Sequence, residues 1–137
     1  MDEIAEAERP DGVRDRIREI EDRFRALTEH CTDAIAEISQ NRRVVFISRS
    51  FTRVFGHEFE DLVGMDVLRL IHADDRERIR QIHSTATVDE SISQLLFRLR
   101  HKNGTWRWVE LTGCAYLTSS GELRAIVINR DVTERVL

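Results

Sequence analysis

The chain has 137 residues, of which 41% are hydrophobic and 34% are charged, and its formal net charge is −4 at pH 7. This composition is typical of one globular domain and excludes a disordered chain or one that crosses a membrane. The net charge lies in residues 1–30, which hold ten acidic and six basic residues, whereas residues 31–137 hold fifteen of each. Because residues 31–137 have no basic excess, we expect no nucleic-acid partner.

The first segment and the cysteines indicate a cytoplasmic protein. Residues 1–12 are acidic, lack the pattern of a signal peptide and are interpreted as a flexible lead. Cys31 and Cys114 lie far apart, with no Cys-x-x-Cys motif and no Cys/His spacing typical of a metal site. We therefore expect two free thiols and a cytoplasmic location, and the sequence leaves a redox role open.

Residues 13–31 have the apolar spacing of an amphipathic helix. Apolar residues recur at intervals of four and three, as in a coiled-coil seam of fewer than three heptads. A helix of this length is only marginally stable alone in water, so it needs a surface or a second helix. Two interpretations stay open, a helix packed on its own domain and a dimerising helix. The seam consists of Val13, Ile17, Ile20, Phe24, Leu27 and Cys31.

Five segments have the β-branched composition or the alternation of strands. The first two form a predicted hairpin, and the last three are joined by short turns. Residues 102–104 are Lys-Asn-Gly, and Asn-Gly is a strong signal for a tight hairpin turn. The predicted strands cover residues 34–38, residues 43–48, a segment that starts after residue 89 and reaches residue 100, residues 105–117 and residues 122–132.

Residues 49–90 predict a block of broken helices between the second and third strands. Two short helices end at Gly56 and Gly64, and a longer helix begins near residue 72. In this longer helix we predict Asp74 as the N-cap, because Glu77 follows three residues later as in a capping box.

This order predicts an α+β fold, with a five-stranded antiparallel sheet and the helical block on one face. The fourth strand places Val109 and Leu111 on one face and Trp106 and Trp108 on the other. The last strand alternates in the same way, with Ile126 and Ile128 on the second face. Both faces are therefore predicted to be apolar, and the N-terminal helix or a second subunit has to cover the outer one.

Four stretches together resemble the PAS domain, a sensory module of signalling proteins. The resemblance covers roughly residues 23–135, and one departure is Ala73, where the family usually has proline. Each stretch alone is a weak signal, whereas four in the same order and spacing are specific. They are residues 45–56, residues 61–76, residues 97–110 and the terminal Asp-Val-Thr-Glu-Arg of residues 131–135.

The resemblance implies a non-catalytic sensor and transmitter, from a sensor histidine kinase of a two-component system or a related regulator. The domain would cover residues 32–135, and residues 136–137 would begin an output linker to an effector domain or partner. In such domains a cavity lies between the inner sheet face and the helices. Asp131 and Thr133 would pass a change in the last strand to this exit.

The resemblance and the strand pattern together give two sets of candidate residues. The predicted pocket for a small ligand is lined by Phe97, Leu99, Val109, Leu111, Val127 and Asn129, faced by Ile79, Ile82 and His83. The predicted homodimer interface joins Val13, Ile17, Ile20, Phe24 and Leu27 to Trp106, Trp108, Ile126 and Ile128.

We expect no cofactor. Some PAS domains bind heme through a histidine on the long helix, but the matching position falls nearer Ile79, one turn before His83. The flavin-binding subgroup has a reactive cysteine in a segment that corresponds here to residues 64–69, which contain none. Asn129 lies where that subgroup has a polar flavin contact. Two interpretations of this residue stay open: its side chain orients a small ligand, or it is satisfied by hydrogen bonds to the backbone. A heme sensor and a ligand-free dimerisation module are the alternatives.

Overall fold

The computed structural model describes residues 10–88 and 90–136, so residues 1–9 of the predicted lead lie outside the described residues. The chain divides into two units at the boundary between Cys31 and Thr32. The elements are α1 (Pro10–Glu29), β1 (Ala34–Ser39), β2 (Val44–Ile47), α2 (Arg49–Phe55), α3 (Phe59–Leu62), a 3-10 helix (Val67–Leu70), α4 (Ala73–Ser84), β3 (Ser91–Arg100), β4 (Trp106–Leu117), β5 (Leu123–Asp131) and α5 (Thr133–Val136).

The first unit contains α1, which begins at Pro10, three residues before the predicted start. Proline suits the first turn of a helix because its missing N–H would have no intrahelical partner there. The seam residues Val13, Ile17, Ile20, Phe24 and Leu27 are exposed. The helix therefore has the exposed apolar stripe that the sequence predicts.

The second unit is the predicted five-stranded sheet. Its strand order is β2-β1-β5-β4-β3, and every neighbouring pair is antiparallel. The register pairs Leu111 with Asn129 and Gly113 with Val127, so these four residues share the inner face. This confirms the predicted fold class and the predicted division of β4 and β5 between two faces.

The helix α4 covers the free edge of β3. Three hydrogen bonds reach the carboxylate of Asp75 from Arg98, at 2.9 Å from the backbone N, 3.1 Å from Nε and 3.0 Å from Nη2. The N–H of His72 donates to the Arg98 carbonyl at 3.0 Å. An exposed strand edge can pair with other chains, and these bonds occupy it.

The charge of Arg98 keeps Asp75 ionised. Burial of Asp75 opposes its ionisation, but the hydrogen bonds and charge of Arg98, together with the charge of Arg78, lower the pKa of this carboxyl below its ordinary value. The prediction that Asp74 caps α4 is wrong. The N-cap is His72, two residues earlier, and its Nδ1 accepts the Asp74 N–H at 3.1 Å.

The opposite edge of the sheet, at β2, is covered by the segment between α3 and the 3-10 helix. The Val44 N–H donates to Met65 O at 3.0 Å, and the Gly64 N–H donates to Val44 O at 2.9 Å. The Val67 N–H donates to Arg42 O at 2.8 Å. The helical block is thus attached at both edges and spans the inner face between them.

The end of α2 lies so close to the hairpin between β3 and β4 that a glycine is required at position 56. Gly56 has φ +81°, the left-handed conformation common at the end of a helix. A Cβ at this position would lie 2.8 Å from Lys102 Cβ, in the hairpin between β3 and β4. The predicted helix end is confirmed, and it lies directly against this hairpin.

The outer face of the sheet is mixed, and its prediction as apolar is wrong. Trp106 and Ile128 are 40% and 39% exposed. Arg124 is paired with Glu37 on the same face at 2.8 Å. Side chains of the second unit partly cover the two tryptophans, since the Arg98 guanidinium lies 4.9 Å from the Trp108 ring and the His72 ring 4.7 Å from the Trp106 ring.

Replacing Asp75 with Asn removes the charge while keeping one acceptor for the Arg98 N–H. We expect the free energy of unfolding at pH 7 to fall by about 1.5–3 kcal/mol, the usual contribution of hydrogen bonds to a charged group. The folded pKa of Asp75 lies below its unfolded value. Its contribution is therefore present above about pH 4 and is lost as the pH falls through the folded pKa.

Urea unfolding between pH 7 and pH 3 measures both effects, and D75N should lose stability less steeply than the wild type in acid. Glu77→Gln is the matched control, because the Glu77 pair with Arg80 lies exposed on the same helix. Equal effects of the two substitutions would contradict the assignment of Asp75.

Candidate functional site

A cavity of about 130 Å³ lies between the inner face of the sheet and the helical block. Most of its lining is aliphatic or aromatic, from β1 to β5 and from α2, α3, α4 and the 3-10 helix. A concave apolar cavity with a few polar groups is the usual form of a small-molecule site.

The cavity brings together eight of the nine predicted pocket residues. These are Phe97, Leu99, Leu111, Val127, Asn129, Ile79, Ile82 and His83. Val109 is placed differently, since it is 0% exposed within the hydrophobic core and is not part of the lining. Correct strand alternation places Val109 on the inner face, but only the packing of the helices decides which inner residues border the cavity.

Small residues create part of the space, and they are absent from the predicted pocket. Ala36, Gly113 and Ala125 line the cavity. A Cβ on Gly113 would lie 3.0 Å from Ile126 O and 3.0 Å from Val127 Cγ1. Because every second residue of a strand lies on the same face, Gly113 shares the inner face with Leu111 and Ala115, and the sequence pattern is sufficient to place it there. Arg42, a further lining residue, has no such signal because its position depends on the β1–β2 turn.

The two polar residues of the predicted pocket both bond to backbone. Asn129 is buried, and its Nδ2 donates to Ala34 O at 3.2 Å. This is one of up to four hydrogen bonds that an asparagine amide can form. His83 Nε2 lies 2.9 Å from Ser39 O and 3.2 Å from Gln40 O. Because a carbonyl only accepts, this nitrogen carries the proton.

His83 has only one ring nitrogen left for a ligand. Nε2 donates to carbonyls of the β1–β2 turn, so in the neutral imidazole Nδ1 is the nitrogen without a proton. The described residues contain no group of three or more His, Cys, Asp or Glu side chains that could hold a metal ion. Within the same ranges, no helix is both long and apolar enough to span a bilayer.

The two predicted transmission residues form a hydrogen-bonded junction at the end of β5. Thr133 Oγ1 donates to Asp131 Oδ1 at 2.6 Å and accepts the Trp108 N–H at 2.9 Å. Arg107 Nε donates to Asp131 Oδ2 at 2.7 Å. Burial of Asp131 opposes its ionisation, but the bonds from Thr133 and the Arg107 guanidinium lower its pKa below the ordinary value.

Comparison with known proteins gives a family and a fold. The family model described as the PAS fold matches residues 44–129. Sporulation kinase A of Bacillus subtilis (strain 168) is 30% identical over 119 residues, which cover 83% of this chain and 19% of the kinase. The chain spans only 10 to 19% of the length of the curated relatives first matched.

Solved structures have the same fold. The PAS domain of an HTR-like protein from Haloarcula marismortui has a TM-score of 0.76 at 22% identity, covering 87% of this chain and 97% of that one. A PAS domain from Colwellia psychrerythraea has a TM-score of 0.74 at 22% identity, covering 85% of this chain and 99% of that one. Together with the family match, these similarities confirm the predicted PAS resemblance.

Replacing Thr133 with Val tests the junction at the end of β5. The substitution removes the acceptor of the Trp108 N–H, and a buried donor without a partner costs about 1–3 kcal/mol of stability. We expect a loss of this size in urea unfolding and faster hydrogen exchange at the Trp108 amide. Thr112→Val, the same change at an exposed position of β4, is the control. Slow exchange at Trp108 in T133V would contradict the assigned bond.

Proposed function

The chain belongs to the PAS family, and from this premise we propose that it senses a small ligand in its cavity and transmits the change through a dimer to an output domain. We assign the sensor domain to residues 32–135 and the start of an output linker to residues 136–137. The observation that carries the proposal is the apolar cavity of about 130 Å³ on the inner face of the sheet.

The strand β5 connects the cavity to the exit. Val127 and Asn129 line the cavity, and the same strand ends at Asp131, two residues beyond Asn129. A ligand that displaces the inner-face residues of β5 would shift the hydrogen bonds of Asp131 and Thr133. A ligand changes a conformational equilibrium only by its different affinities for the two states, so both junction geometries have to be accessible.

The output domain is inferred from the curated relative. Similarity to a sporulation kinase over 83% of this chain supports a sensor histidine kinase or a related regulator of a two-component system. Under this proposal the domain itself is non-catalytic, and the effector or partner performs the reaction.

Dimerisation is supported by the apolar stripe of α1. We propose that two copies associate through this stripe and through the outer sheet face around Trp106, Trp108, Ile126 and Ile128. Since exposed apolar surfaces of this kind commonly form protein interfaces, the same stripe also favours a second function, a ligand-free dimerisation module.

Replacing Val127 with Phe distinguishes the two functions by filling the cavity. We expect native mass spectrometry of the purified wild type to detect a noncovalent small-molecule adduct that V127F lacks. Ile128→Phe is the control, because the same change falls on the outer face of the same strand. Identical adducts in both variants would contradict the cavity site. The absorption spectrum of the same sample reports any coloured cofactor.

Replacing Ile20 and Phe24 together with Glu tests the seam. Charges on the apolar stripe oppose its burial between two copies, so we expect a dimeric wild type and a monomeric variant by light scattering. Glu21→Gln and Arg25→Gln, both exposed on α1, form the control pair. A wild-type mass retained by the Ile20/Phe24 variant would reject the seam.

A further inference from the structure

Arg42 provides a permanent positive charge at the wall of the cavity. Among the lining residues that the structure describes, it is the only Lys or Arg. Its backbone has φ +66°, a left-handed conformation that costs free energy in residues other than glycine. The Arg42 N–H donates to Ser39 O at 3.0 Å, and Arg42 O accepts the Val67 N–H at 2.8 Å. The hairpin turn and the 3-10 helix thus hold this residue in place.

The guanidinium of Arg42 is incompletely paired. Nη2 lies 3.5 Å from Asp66 Oδ2, at the limit of a hydrogen bond. Nε is buried and has no hydrogen-bond partner within the described residues, although the side chain as a whole is 30% exposed. Buried donors normally have partners, so this atom lacks an acceptor that a ligand could supply. Arg98, by comparison, donates from both Nε and Nη2 to Asp75.

The only other buried unpaired side-chain atom among the described residues is Arg124 Nε. Arg124 is already held by Glu37 at 2.8 Å and by Glu122 at 3.2 Å, and it does not line the cavity. Within residues 10–88 and 90–136, an unpaired buried donor lies at the wall of the apolar cavity only at Arg42.

We propose that the cavity binds a small monocarboxylate, with the carboxylate on Arg42 and an apolar tail among the aliphatic lining residues. This inference rests on the proposed ligand-sensing function and specifies the class of ligand. A carboxylate can accept from Nε and a terminal nitrogen of a guanidinium at the same time, and such charge-assisted pairs are strong and directional.

The acidic residues near Arg42 favour a ligand with one negative charge over a ligand with two. Asp66 already opposes Arg42, and its Oδ1 is fixed by the Leu68 N–H at 3.0 Å. Glu90 also lines the cavity. A phosphate dianion would face both carboxylates with one arginine to offset them, whereas a monocarboxylate brings a single charge.

The cavity volume sets the size of the tail. A volume of about 130 Å³ is close to the ~150 Å³ of an engineered apolar cavity that binds benzene. This leaves room for a tail of about six carbon atoms. The tail provides most of the buried apolar area, and the carboxylate provides the selectivity.

Calorimetric titration of the full chain with hexanoate, 1-hexanol and hexyl phosphate tests this inference. We expect hexanoate to bind more tightly than the other two. Arg42→Gln should weaken hexanoate by about ten- to a hundredfold, the range for a hydrogen bond to a charged group, and leave 1-hexanol unchanged. The control is Arg43→Gln, because the adjacent Arg43 is exposed and donates to Gly64 O outside the lining.

A second variant keeps the test decisive if R42Q does not fold. Asp66→Asn retains an oxygen acceptor for the Leu68 N–H but removes the charge opposite Arg42. We expect D66N to bind hexanoate more tightly than the wild type, and an unchanged affinity would overturn the role of Arg42.

The remaining outcomes separate this inference from the function on which it rests. Equal affinities for hexanoate and 1-hexanol, or equal losses in R42Q and R43Q, would reject the carboxylate while leaving the cavity as a ligand site. Tighter binding of hexyl phosphate would reject the monocarboxylate class. If none of the probes binds and the V127F adduct matches the wild type, both the inference and the ligand-sensing function fail.

Discussion

The ion pair between Asp75 and Arg98 is the interaction on which the rest of the second unit depends. One carboxylate takes the backbone N–H and the guanidinium of the same edge-strand residue, so it fixes α4 along the sheet and closes the edge of β3. The other attachment of the helical block is made of backbone hydrogen bonds to β2. A helical block held at both edges has to pass over the inner face, and the cavity is the space beneath it.

The same arrangement places the central strand of the sheet, β5, along the cavity. β5 lies between β1 and β4, so its inner-face residues border the cavity while its backbone pairs on both sides. Its end is not free, because Asp131 and Thr133 are bonded to Arg107 and to the Trp108 N–H of β4. Under the proposed function, a change in the cavity would reach the exit through these short hydrogen bonds.

Alternation and turn chemistry were sufficient to predict the strands, their faces and the helix end at Gly56. The prediction was least accurate where tertiary contacts override local preference. Asp74 and Glu77 have the spacing of a capping box, yet the N-cap of α4 is His72, and the adjacent Asp75 bonds to Arg98 in β3. β3 contains a bulge at Gln94, with φ +58°, which interrupts the alternation of the strand and which the period-two pattern does not predict.

The sequence by itself determined the family, the antiparallel sheet and most of the cavity wall, because strand period and turn residues are local properties of the chain. Only the tertiary structure decided that Val109 is core rather than lining and that Arg42 reaches the cavity. These properties depend on how far the helices stand from the sheet and on a left-handed turn residue. Both are set by contacts between residues distant in sequence, which local patterns do not encode.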